Sequence, residues 1–120
     1  AAEHGAVVVD GVDVSLPYGT PLFVPAAGKV LVSGESPYYE DVYNPAAGEL
    51  KIQLAHDGAH VILGHMTRID LWTGQQVSAG QAAGLSGTQN GGHVHIEVRV
   101  PDASFASGLR TVDPMIYFGW

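Results

Sequence analysis

His93-Val94-His95-Ile96-Glu97-Val98 decides the fold of this chain. Two histidines stand two residues apart in an apolar run that reads as a strand. Side chains two apart on a strand point the same way, so the two imidazoles share a face and can share one small site. One could hold a metal while the other handles a proton. Gly91-Gly92, just upstream, permits a loop that approaches closely. The strand is expected to span His93 to Val100.

Outward from this stretch the chain repeats one pattern: short runs of Val, Ile and Leu, punctuated by 16 Gly and 7 Pro. Such spacing indicates an all-β domain. Val7-Val8-Val9 leads into Gly11 to Val14, and Pro17-Tyr18-Gly19-Thr20 turns the chain toward Leu22-Phe23-Val24. Lys29 to Val32 and Leu50 to Leu54 read as further strands. Asp57-Gly58 marks a hairpin whose return strand is His60 to Gly64. Segment 36–49, with its tyrosines, prolines and acids, reads as an exposed excursion. Thr67 to Leu71 is the one short helical turn the sequence suggests, and Val77 to Gly84 holds another tight turn. Pro101 to Leu109 is a loop, and Val112 to Tyr117 closes the domain. The expectation is a mostly antiparallel, barrel-like hybrid β domain with a groove and little helix.

Composition narrows the function. At 120 residues the chain is most simply one domain, residues 1–120, with enough length to bury a core. Its abrupt start at Ala1-Ala2-Glu3 is what a domain cut from a longer chain would show. Five Lys and Arg against twelve Asp and Glu leave a net charge of −7 without a basic run. Nucleic acid is therefore not an expected partner. No apolar stretch approaches a membrane span, so no membrane insertion is expected. With no Cys, thiol nucleophiles, disulfides and Cys-based zinc sites are excluded, and any metal falls to the six His and to carboxylates.

Among these groups, Asp13 follows the valine run in a segment expected to be largely buried. An isolated Asp there can cap a turn near Ser15. It can equally be a ligand, because a buried carboxylate needs a cation or a partner. Asp10, three residues earlier, is aimed at the opposite face by strand alternation. His65 ends the apolar run Leu63-Gly64. His56 and His60 flank the hairpin and read as solvated or structural, and His4 lies near the terminus. Asp13, His65, His93 and His95 together suit zinc, which accepts His nitrogen and carboxylate oxygen and keeps one position open for water. A neutral His nearby can take that water's proton or stabilise an oxyanion. A serine triad is less convincing: Ser86-Gly87 sits in a turn, with no nucleophile-elbow pattern.

From about Gly11 to Tyr117 the order of motifs resembles the lysostaphin-type zinc metallopeptidase family, which cuts peptide cross-links in bacterial cell walls. The resemblance rests on the segment Gly11-Val12-Asp13 through Pro17-Tyr18-Gly19-Thr20-Pro21-Leu22, on Pro25 to Val30, and on Gly64-His65-Met66. It also rests on Gly74 to Gln81, His93-Val94-His95-Ile96-Glu97 and Val112-Asp113-Pro114. It implies that Asp13 and His95 bind Zn2+ and that His65 and His93 are the catalytic imidazoles. It further implies peptidoglycan peptide cross-links as substrate, and an extracellular, periplasmic or phage-virion-associated location.

One departure bears on activity. The family's first ligand is a His four residues before the Asp, and here that position is Val9. Val9 offers no lone pair, and two protein ligands hold zinc more weakly than three. His4, five residues upstream of Val9, is the nearest alternative third donor. The excursion 36–49 is long for the family, and the segment Thr88 to Gly92 is short. The expected activity is that of a zinc metalloendopeptidase, impaired by the lost ligand. The alternative is an inactive relative that binds peptidoglycan or regulates an amidase. A phosphotransfer carrier on a related barrel fits the motifs poorly.

Overall fold

The computed structural model describes residues 11–34, 48–87 and 93–119. Within them the chain forms β1 (Val12–Ser15), β2 (Pro21–Phe23), β3 (Gly28–Gly34), β4 (Gly48–Leu54) and β5 (His60–Ile69). These are followed by β6 (Gln76–Val77), β7 (Ala82–Ser86), β8 (His93–Pro101), β9 (Leu109–Val112) and a single helix, α1 (Pro114–Phe118). Every pairing is antiparallel, in the order β1-β8-β5-β4-β3-β6, with β7 joined to β2 and β5 and β9 joined to β8. The expected mostly antiparallel β domain is therefore what forms. Among the described residues no helix is long and apolar enough to cross a membrane.

Register gives the sheet two unlike faces. Ile52 stands opposite Val61, and Val61 opposite Val98. Leu50 stands opposite Leu63, and Leu63 opposite Ile96, with Val12 beyond it. These side chains belong to one buried core cluster with Val30, Leu54, Met66 and Val94, against which Val12 packs. His95, Glu97 and Arg99 of β8 fall on the other face. There His95 lies between Asp13 of β1 and Gly64 of β5, and Glu97 lies beside Ile62.

Several boundaries differ from expectation. Thr67 to Leu71 is no helical turn, because β5 runs on to Ile69 and its end pairs with β7 through Arg68–Leu85 and Ile69–Gly84. β-branched Thr67 and Ile69 suit that extended backbone. Helix instead forms after Val112. Asp113 caps it by accepting from the Met115 N–H at 2.8 Å, Pro114 sits in the first turn, and Gly119 closes it in the left-handed region. The excursion ends earlier than expected, since Gly48 and Glu49 already belong to β4. Val7 to Val9, most of the excursion and Gly91-Gly92 lie outside the described residues.

Candidate metal and catalytic site

His95 is the centre of the polar face. Its Nδ1 lies 2.9 Å from Asp13 Oδ1 across the β1–β8 pair, the partner that the strand register dictates. Nε2 lies 3.5 Å from Glu97 Oε1. Glu97, a buried residue, accepts through Oε2 a hydrogen bond donated by Arg99 Nε at 2.5 Å. Two glycines make room for the imidazole. A Cβ on Gly11, whose φ is +126°, would stand 2.8 Å from His95 Nε2 and 2.5 Å from the Ile96 carbonyl oxygen. A Cβ on Gly64 would meet the His95 Cβ at 3.3 Å.

His65 reaches the same place by breaking strand alternation. Leu63 and Met66 both enter the core although they are three apart, because β5 carries an extra residue against β4 between them. Such a bulge re-aims a side chain. His65 has φ +60°, the one positive value among the described non-glycine residues. Its ring meets that of His95 edge-on, with centroids 6.3 Å apart. The sequence placed His65 at a strand end, whereas it sits inside β5 at the bulge.

Asp13 is also corrected. Its side chain is 61% exposed instead of buried, because its odd parity on β1 turns it to the polar face while Val12 and Val14 take the core. An exposed carboxylate aimed at an imidazole remains a good donor for a cation. Zinc bonds of about 2.0–2.2 Å at tetrahedral angles would set two donors roughly 3.3 Å apart. The observed 2.9 Å between Asp13 and His95 is within a small side-chain rotation of that spacing. As a pair the two groups fit zinc. Among the described residues, however, no group of three or more His, Cys, Asp or Glu side chains could hold a metal. Val9, His4 and the His93 ring, on which the remaining expectations fall, lie outside them. The backbone of His93 opens β8 opposite Ser15.

The other candidates have structural roles. Ser86 is fully buried, and its hydroxyl accepts from the Thr20 N–H at 3.1 Å and donates to the Pro17 carbonyl at 3.2 Å, pinning the Pro17–Thr20 turn. His56 is exposed beside Asp57. Burial, then the charges of Lys51 and Arg99, hold the His60 ring below its ordinary pKa. Sequence reasoning missed the Glu97–Arg99 pair, although Glu97-Val98-Arg99 spacing on a strand carries the signal. The apolar groove of about 450 Å³ is lined by Val14, Leu63, Val94, Ile96, Met115 and Phe118 among others. It opens on the core face, opposite His95, and is not a cleft over the candidate site.

A family model described as Peptidase family M23 matches residues 7–114. Over 94 residues the chain is 33% identical to the peptidoglycan DD-endopeptidase ShyA of Vibrio cholerae, a match covering 76% of this chain and 20% of that protein. The chain thus spans about a fifth of the length of this curated relative. The catalytic domain of the antimicrobial peptidase lysostaphin from Staphylococcus simulans shares the fold, with a TM-score of 0.71 at 24% identity over 93% of this chain and 80% of that one. A zinc-containing peptidase from Vibrio cholerae aligns with a TM-score of 0.61 and 31% identity over 76% of this chain and 26% of that one.

Proposed function

The chain belongs to peptidase family M23, and on that premise we propose that it hydrolyses peptide cross-links of bacterial peptidoglycan as a zinc metalloendopeptidase. The observation that carries the reading is the convergence of Asp13 Oδ1 and His95 Nδ1 at 2.9 Å on paired strands. The relative named as a peptidoglycan DD-endopeptidase supports the substrate class, and the zinc-containing structural relative supports the metal. Work on a cell wall places the reaction outside the cytoplasm, in the periplasm or beyond.

A zinc ion, when bound, supplies Lewis acidity that makes water nucleophilic near neutral pH. Asp13 and His95 would hold it. His65, its ring edge-on to that of His95, and His93 would divide the proton work, one accepting the water's proton and the other assisting the oxyanion of the attacked peptide. Val9 in the first ligand's position weakens the metal's hold, unless His4 supplies the third donor.

Restoring a donor tests this reading. Val9→His should tighten zinc binding by on the order of 100-fold or more, because a direct ligand outweighs the 10–100-fold worth of an outer partner. Cleavage of glycine-rich cross-bridge peptides should rise in parallel. Zinc affinity and hydrolysis both unchanged by the substitution would overturn the assignment of Val9. Val9 also favours a second reading, a non-catalytic module that binds peptidoglycan or acts on an amidase. In that case the unaltered chain binds peptidoglycan yet releases no peptide at saturating zinc.

A further inference from the structure

Glu97 is a buried carboxylate that the proposed reaction leaves without a task. Burying such a group is costly unless it is paired and hydrogen-bonded. Arg99 satisfies one of its oxygens, with Nε donating to Oε2 at 2.5 Å, and so fixes the plane of the carboxylate. The other oxygen, Oε1, faces His95 Nε2 at 3.5 Å. Ile62, 3% exposed and opposite Glu97 in the β5–β8 register, limits the water that could compete for it.

The surroundings leave the ring little choice of orientation. Gly11 backs it at Nε2, Gly64 lies against its Cβ, and Asp13 stands at Nδ1. A ring nitrogen that ligates a metal must offer its lone pair, so the imidazole proton must sit on the opposite nitrogen. Metal-bound histidines almost always donate that proton to a carboxylate, a carbonyl or water, which fixes tautomer and orientation. Here Glu97 Oε1 faces that nitrogen, and a shift of less than an ångström would bring it to hydrogen-bond distance.

We propose that Glu97 is a positioning residue whose Oε1 accepts the His95 Nε2 proton, thereby presenting the Nδ1 lone pair to a metal shared with Asp13. The proposal rests on the zinc reading above. Arg99 takes part indirectly, by holding the carboxylate so that Oε1 stays turned toward the ring.

The test uses the full 120-residue chain and Zn2+ alone, titrated against a chromophoric chelator. Wild type, Glu97→Ala and Glu97→Gln are compared, each also in the Val9→His background, with circular dichroism confirming that each is folded. Glu97→Ala should weaken zinc binding by about 10–100-fold. Glu97→Gln should lose less, since its single amide oxygen can accept from Nε2, although its NH2 must then face Arg99 and that pairing is lost. In the zinc-bound protein, nitrogen-15 spectra should show the His95 proton on Nε2 with a slowed, hydrogen-bonded resonance that Glu97→Ala abolishes. Should Glu97→Ala fail to fold, the Glu97→Gln and wild-type spectra decide the matter: a His95 proton with no sign of a hydrogen bond in either overturns the proposal. Equal zinc affinity in all three variants overturns it while leaving the zinc reading intact. No zinc uptake in either background overturns both.

Discussion

At the scale of single residues, the site depends on one backbone irregularity. A non-glycine residue in the left-handed region costs on the order of 1–3 kcal/mol and persists where the surroundings demand it. His65, at φ +60°, carries that cost so that its ring reaches His95 and not the core. His65→Gly removes both the imidazole and the strain. It should lower peptide hydrolysis by roughly 10²–10⁴-fold, the usual worth of a positioned proton-transfer group. Stability should stay within about 1 kcal/mol of wild type, because strain relief offsets lost packing. Urea unfolding beside a cleavage assay reads both quantities, and unchanged hydrolysis would remove His65 from the chemistry. The nearness of Asp13 to His95 was legible only through the order of motifs and the family resemblance it carries, because strand periodicity does not say which strands pair. The bulge was not legible: strict alternation sends residue 65 to the core with Leu63, and only the register of β4 against β5 reveals the extra residue.

At the scale of elements, strands with clear alternation were legible and weakly patterned ends were not. Leu50 to Leu54 alternates cleanly and lies within β4, whereas Thr67 to Leu71, which opens on a residue able to cap a helix, is held extended by β7. The real helix was signalled by Asp113-Pro114, but five residues are too few to show a helical period. Such a short helix needs tertiary anchoring. The Tyr117 hydroxyl supplies it by donating to Asp57 in the β4–β5 hairpin, where Asp57 also accepts from the Ala59 N–H at 2.9 Å. Burial acts to raise the Asp57 carboxyl, but the bonds from Tyr117 and Ala59 and the nearby His56 outweigh it and hold its pKa below the usual carboxylate value. Burial and the Asp57 contact push the Tyr117 phenol up, so it remains a donor. A carboxylate depressed in the folded state stabilises above its unfolded pKa and loses that contribution as pH falls through the folded one. Tyr117→Phe should therefore cost about 1 kcal/mol near neutral pH, and less if solvent screens the 34%-exposed Asp57 side chain. The difference in melting temperature should shrink as the solution is acidified below the usual carboxylate range. A difference independent of pH would assign the effect of Tyr117 to packing alone.

At the scale of the molecule, the sheet separates what holds it together from what reacts. Residues on one face of β4, β5 and β8 make the core, and the other face of β8 carries His95, Glu97 and Arg99. Because period-two alternation fixes both sets at once, a slip of one residue between β8 and its partners would bury His95 and expose Val94 and Ile96. Core packing thus enforces the register that sets Asp13 opposite His95, without touching either group. Separation predicts that damage to the core face lowers stability and spares the site in molecules that remain folded. Ile52, fully buried between β3 and β5, is the place to test it. Ile52→Ala should destabilise by about 2–5 kcal/mol through lost transfer energy and a residual cavity, read as a lower urea midpoint. Zinc affinity per folded molecule, measured well below that midpoint, should match wild type. A loss of affinity in protein that is still folded would mean that the two faces are coupled through β5, the strand that holds both Ile52's neighbour Val61 and the bulge at His65.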